Sequence, residues 1–166
     1  MQLLAIISTI LFFGFIIAGV CKFGLLHSYS AYASKWGSVA GIPIWSIVTL
    51  LSAFLIMPCL IEIAAFSPFQ FLGFLTPLYL IGVSLTPTWE TDPIVKRWHV
   101  ILATLCAISG LLWLVLVMNW KLLIVPLVVV LMGLVTGTWD TSYVFWLEMI
   151  MFTSVYATTW FLLFFV

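Results

Sequence analysis

Long apolar runs separated by short polar punctuation organise this chain. Six stretches have the length and character of spanning helices: 2–26, 44–66, 69–85, 98–118, 122–136 and 143–166. A helix rises about 1.5 Å per residue, so the roughly 30 Å of bilayer hydrocarbon needs about 20 mainly apolar residues. The third and fifth stretches are the shortest, and each carries a proline, Pro77 and Pro126. A closed barrel is the other structure that crosses lipid with its backbone fully paired. Its strands alternate polar and apolar positions, and the run from Leu122 to Val135 does not. The pattern predicts an all-α fold, a single polytopic transmembrane bundle of six spans over residues 1–166. The first run lacks a basic start and outlasts the apolar region of a signal peptide, so it reads as a retained helix.

Composition removes the alternatives. Hydrophobic residues make up 66% of the chain and charged ones 6%, with a mean hydropathy of +1.36. A soluble domain carries about 25% charged residues, and disorder requires low hydrophobicity with high charge. A net charge of +0 offers no basic surface to phosphates, so nucleic acid is excluded as a partner. The lipid bilayer is the partner that remains.

Charge also orients the chain. Lys22, Lys35, Lys96 and Arg97 follow the odd-numbered spans, while the other side holds only Lys121. The excess of lysine and arginine on cytoplasmic loops predicts cytoplasmic odd-numbered loops and both termini outside. Trp36, Trp45, Trp89, Trp98, Trp139 and Trp146 gather near the odd-loop end, and Trp120 and Trp160 near the other. An interfacial aromatic belt is the plain expectation, with some of these rings free to line a pocket instead.

Helices in lipid associate through close packing of small residues. His99, Ala103, Cys106 and Gly110 recur at helical spacing and predict an inward stripe on the fourth span. Gly133 and Gly137 form a GxxxG pattern, and Gly14, Gly73 and Gly82 extend the theme. Pro58, Pro77 and Pro126 predict kinks that neighbouring helices offset. Cys21, Cys59 and Cys106 sit singly in three spans, with no CxxC and no zinc spacing. No cofactor or metal is implied.

The most specific local feature is a near-repetition on the odd-loop side. Residues Thr86 to Asp92 and Thr136 to Ser142 both read T-x-T-W-acid-T-polar, and both precede a new helix. Pro87 and Gly137 stop one helix, while Asp92 before Pro93, and Ser142, suit the N-cap of the next. The pair is a helix-turn-helix solution used twice, or a parallel repeat of helical hairpins of the kind found in transporters. The longest polar stretch, His27 to Trp36, lies on the same side. Functional residues gather on loops, which points to this end.

Ionisable residues at membrane depth tend to be functional. Glu148 lies six residues past Ser142, about 9 Å below the helix start. Such a carboxyl needs a proton or a partner, and Arg97, Lys96 or His99 at the head of the fourth span would supply one. The candidate ligand-binding set is Glu148, Arg97, His99, Asp140, Trp89 and Trp139. Glu62 sits at the even end and reads as a snorkelling or structural group; Glu90, Asp92 and Asp140 are most simply caps and rim charges. No HExxH, nucleophile elbow, P-loop or dinucleotide fingerprint is present. An intramembrane hydrolase using His99 with nearby acids is therefore the lesser alternative, and no residue is assigned a catalytic role.

The section from Val83 to Ala103, with Pro87 after a helix end and His99-Val100-Ile101-Leu102-Ala103 in the next helix, resembles the DRAM-type six-helix membrane proteins. Ser28-Tyr29-Ser30-Ala31-Tyr32 lies where that family has a polar motif, although its proline-serine-aspartate signature is absent. The resemblance covers about a third of the chain. It implies a compact six-helix bundle with a polar face, tied to lipid handling or membrane trafficking. The expected function is non-enzymatic binding or transport of a small solute or lipid through a polar vestibule on the odd-loop face. An accessory role, as a homo-oligomer or within a larger membrane complex, is the other alternative.

Overall fold

The computed structural model describes residues 1–117, 135 and 139–165, with 139–141 as backbone alone. Its described residues form five α-helices: α1 (Gln2–Phe23), α2 (Ile44–Ile63), α3 (Gln70–Ser84), α4 (Pro93–Leu116) and α5 (Trp139–Phe165). Four stretches, Gln2–Phe23, Ile44–Ile63, Pro93–Leu116 and Ser142–Phe165, are long and apolar enough to cross a membrane, which suits an integral membrane protein. Helix α3 is apolar but has 15 residues, below the usual spanning length of about 20. The expected span 122–136, with Pro126 and its GxxxG pattern, lies outside the described residues.

Helix boundaries have local causes. Helix α1 stops at Gly24, whose φ of 76° is readily open only to glycine, so it ends short of the expected residue 26. Helix α4 starts at Pro93, before the apolar run itself, because Asp92 caps it as its sequence position predicts. The Asp92 carboxylate accepts the N–H groups of Ile94 at 2.8 Å and Val95 at 3.2 Å. Helix α5 breaks at Ser142, where φ is −136° and ψ 32°, the position the sequence marks as a cap. Pro58 and Pro77 remain inside α2 and α3.

One element has no sequence precursor. Strands β1 (Ser38–Val39) and β2 (Ile42–Pro43) pair antiparallel, joined by Ala40 at φ 52° and Gly41 at φ 81°. Two central residues with positive φ make the mirror-image turn that suits strand twist. Alanine is an unusual occupant of the first position, which hides the hairpin from pattern recognition.

Helices α1 to α4 pack as successive neighbours, and α5 returns against α1, α2 and α4. At Gly73 a Cβ would stand 2.7 Å from the Leu60 carbonyl oxygen, so the backbones of α2 and α3 touch. At Gly110 it would meet Met151 Sδ at 3.2 Å and Thr76 Cγ2 at 3.3 Å, where α3, α4 and α5 converge. His99, Cys106 and Gly110 are all buried, so that stripe does face inward. Gly14 differs from the expectation: nothing lies within 4 Å of its Cβ position. The aromatic belt also needs correcting. Trp45 and Trp146 are buried within the bundle, Trp36 and Trp89 are half-buried, and Trp98 alone among the described odd-end tryptophans is exposed.

Candidate functional site

The site is built on the segment following α1. The sequence casts residues 27–36 as an exposed polar loop, yet Ser28 through Ala33 are buried. Ser30–Ser34 form a 3₁₀ turn, in which residues three apart share a side. Tyr29 and Tyr32 have that spacing, and both rings are buried. Tyr32 lies against Gly19, whose Cβ position is 3.0 Å from the ring, and donates its hydroxyl to the Gly24 carbonyl at 2.8 Å. Tyr29 enters a cluster of Phe12, Phe15, Trp45 and Phe152, with ring centroids 5.1 to 6.4 Å away. Burial raises both phenols above the ordinary tyrosine range, opposed at Tyr29 by its bond to Thr49 and at Tyr32 by the Leu26 backbone. Both remain neutral.

Hydrogen bonding fixes the direction of each contact. Thr49 Oγ1 gives its one proton to the Trp45 carbonyl at 2.7 Å, so the Tyr29 hydroxyl, also 2.7 Å away, donates to Thr49. Backbone groups of the same segment dock on α5. With Ser142 out of helical geometry, Phe145 stands third in the new helix, where N–H groups lack an intrahelical acceptor. It donates instead to the His27 carbonyl at 3.0 Å. One turn onward, the Glu148 carboxylate accepts the Tyr29 N–H at 2.6 Å. The loop is therefore held to α5 by one backbone carbonyl and one backbone amide.

A second group abuts this one. Thr86 Oγ1 gives its proton to the Val83 carbonyl at 2.6 Å, so His99 Nδ1, 2.8 Å away, is the donor to Thr86. The His99 ring is buried and stacks on Trp89 with centroids 5.0 Å apart and planes 16° from parallel. Trp89 Nε1 in turn donates to the Ser30 carbonyl at 3.4 Å. His99 also lies 6.5 Å from Trp45, and the exposed His27 lies 6.2 Å from Trp89. The Trp45 ring is fully buried, and its Nε1 has no hydrogen-bond partner among the described residues.

Of the residues singled out by sequence, Trp89 and His99 meet directly, and Glu148 joins them through the Tyr29–Ser30 backbone. Arg97 does not join them. It is exposed, because two residues along a helix are about 200° around it from the buried His99. Lys96, Lys35 and Lys22 are exposed as well. Lys22 sits over the Trp36 ring at 4.9 Å. Among the described residues the Tyr29 amide is the one hydrogen-bond partner of the Glu148 carboxyl, and no lysine or arginine pairs with it. Trp139 and Asp140 stand at the head of α5, and their side chains lie outside the described residues. The sequence pattern gives no site role to Thr49 or Phe145, places Tyr29 in a polar loop and counts Trp45 with the aromatic belt. The available signal was the pair of tyrosines three apart among serines and alanines, a spacing that fits a buried 3₁₀ turn as readily as a loop.

Chemically the arrangement offers a half-buried carboxyl, a stacked imidazole with a fixed donor, and a wall of aromatic rings. His99 has no serine hydroxyl bonded to it among the described residues, and there no group of three His, Cys, Asp or Glu side chains could hold a metal ion. No family model matches this sequence, and no curated protein or solved structure matches it.

Proposed function

We propose that this chain is a six-span integral membrane protein that binds or moves a small solute or lipid at its odd-loop end, without covalent chemistry. Its odd-numbered loops are cytoplasmic and its termini outside. The helix count rests on the described apolar helices together with the apolar run 122–136. The orientation rests on Lys22, Lys35, Lys96 and Arg97 lying to one side. The observation that carries the functional reading is Glu148. A carboxyl inside an apolar helix, bonded among the described residues to a single backbone amide and to no cation, keeps acceptor or donor capacity that a ligand can use. Aromatic rings and a half-buried polar group are the usual ingredients of a small-molecule site. The DRAM-type resemblance points the same way, toward lipid.

Native mass spectrometry of the protein released from nanodiscs tests this. A bound small molecule at defined stoichiometry, lost in Glu148→Gln while the fold is retained, is the expected result. A bare mass for the wild-type chain in every lipid tried would overturn the proposal, as would a stoichiometric metal.

A further inference from the structure

We infer that the β1–β2 hairpin is an interfacial anchor, with Val39 and Ile42 seated in the bilayer where headgroups meet acyl chains. This placement does not depend on what the bundle binds. Val39 pairs with Ile42, and Ser38 with Pro43. Directly opposed residues of an antiparallel pair share one face, and successive residues alternate between faces. Val39 and Ile42 therefore stand together as an apolar face, 58% and 53% exposed. A two-stranded hairpin is marginal in water unless its hydrophobic face is covered. This one has only two residue pairs, and Ala40 at φ 52° holds a conformation that side chains disfavour. Both conditions call for an apolar contact beyond the chain itself.

Distance identifies that contact as lipid. The Ile44 N–H donates to the Gly37 carbonyl at 3.0 Å, which closes the base of the hairpin at the first residue of α2. Helix α2 has 20 residues. That is a length of about 30 Å, equal to the hydrocarbon core, so Ile44 marks its edge. Ile42 is two residues from Ile44, and two residues of extended chain reach about 7 Å at most. Val39 lies about 5 Å across the pair from Ile42. The headgroup layer is about 5–7 Å deep on each side, so the apolar pair stays within it whichever way the hairpin leans.

Neighbouring side chains suit the same level. Trp36 is half-buried beside Gly37 and lies 4.9 Å beneath the Lys22 ammonium, and both Lys22 and Lys35 are exposed. Tryptophan rings and lysine ammonium groups settle among headgroups. A second copy of the chain is the poorer occupant, because strands of two residues offer little edge to pair with.

Site-directed spin labelling tests this on the full chain in vesicles of phosphatidylcholine and phosphatidylglycerol. Cys21 is exposed and is replaced by serine, while Cys59 and Cys106 are buried and stay. Nitroxides are attached in turn at Val39→Cys and Ile42→Cys, both exposed positions where a label leaves the bundle packing intact. Glu90→Cys, exposed between α3 and α4, is the water reference, and Phe54→Cys, exposed midway along α2, is the lipid reference. Collision with oxygen, which partitions into lipid, is compared with collision with a nickel chelate, which stays in water. Val39→Cys and Ile42→Cys should both shift toward oxygen, with ratios between the two references and a depth within about 7 Å of the hydrocarbon edge. A nickel preference matching Glu90→Cys at either position would put the hairpin in water and overturn the anchor. Weak collision with both reagents would overturn it as well, since protein, from this chain or a second copy, would then cover the pair.

Discussion

Two seams in this bundle are made in opposite ways. Helices α2 and α3 are close in sequence and meet backbone to backbone, with Gly73 against the Leu60 carbonyl. Helices α1 and α5 lie at opposite ends of the described chain and meet through side chains. Tyr156 donates to Ser8, which donates to the Ser52 carbonyl, at 2.7 and 2.8 Å. Trp160 donates to Thr9 at 2.8 Å, and Gln2 to the Leu163 carbonyl at 2.7 Å. A short connection holds the first pair close whatever their surfaces, so small residues suffice. The distant pair needs recognition, and directional hydrogen bonds supply it. The candidate site lies with the second kind of seam.

That contrast can be broken at chosen points. The largest effect is expected from Tyr29→Ala, which empties the junction of α1, α2 and α5: a loss of about 3 kcal/mol, measured by reversible unfolding in mixed micelles. A loss below that of Gly73→Val would show that the loop is a passive cover. Gly73→Val comes next, at about 2 kcal/mol, because added atoms meet an immovable carbonyl. Its damage should be confined to the α2–α3 seam, with disulfide trapping of cysteines placed across α1 and α5 unchanged. Tyr156→Phe should cost about 0.6 kcal/mol, the average for a polar contact between helices in lipid. A double-mutant cycle with Ser8→Ala checks that the cost belongs to this pair. Gly14→Ala is expected to change stability by no more than about 0.5 kcal/mol in either direction, since open space surrounds its Cβ position.

Legibility in the sequence followed the same division. Features fixed by neighbouring residues could be read: the apolar runs of α1, α2 and α4, the Asp92–Pro93 start of α4, the break at Ser142, and the inward stripe of His99, Cys106 and Gly110. Features fixed by distant residues could not. Ser28 to Ala33 look like a solvated loop because their composition is polar, and their burial depends on Phe12, Thr49 and Glu148 arriving from three helices. Trp45 sits at a helix start, where an interfacial ring is the usual expectation, and the folded-in loop covers it. Glu148 was recognisable as a carboxyl needing company. Its partner, a backbone amide, has no residue type to betray it.

The bond between Tyr29 and Glu148 joins positions 119 residues apart. At ordinary synthesis rates, the second partner leaves the ribosome on the order of ten seconds after the first. During that interval the Tyr29 amide has no carboxylate to meet, and the ring cluster lacks Phe152. The earliest loop of the chain is thus completed by α5, and the candidate site comes into being only at that closing step.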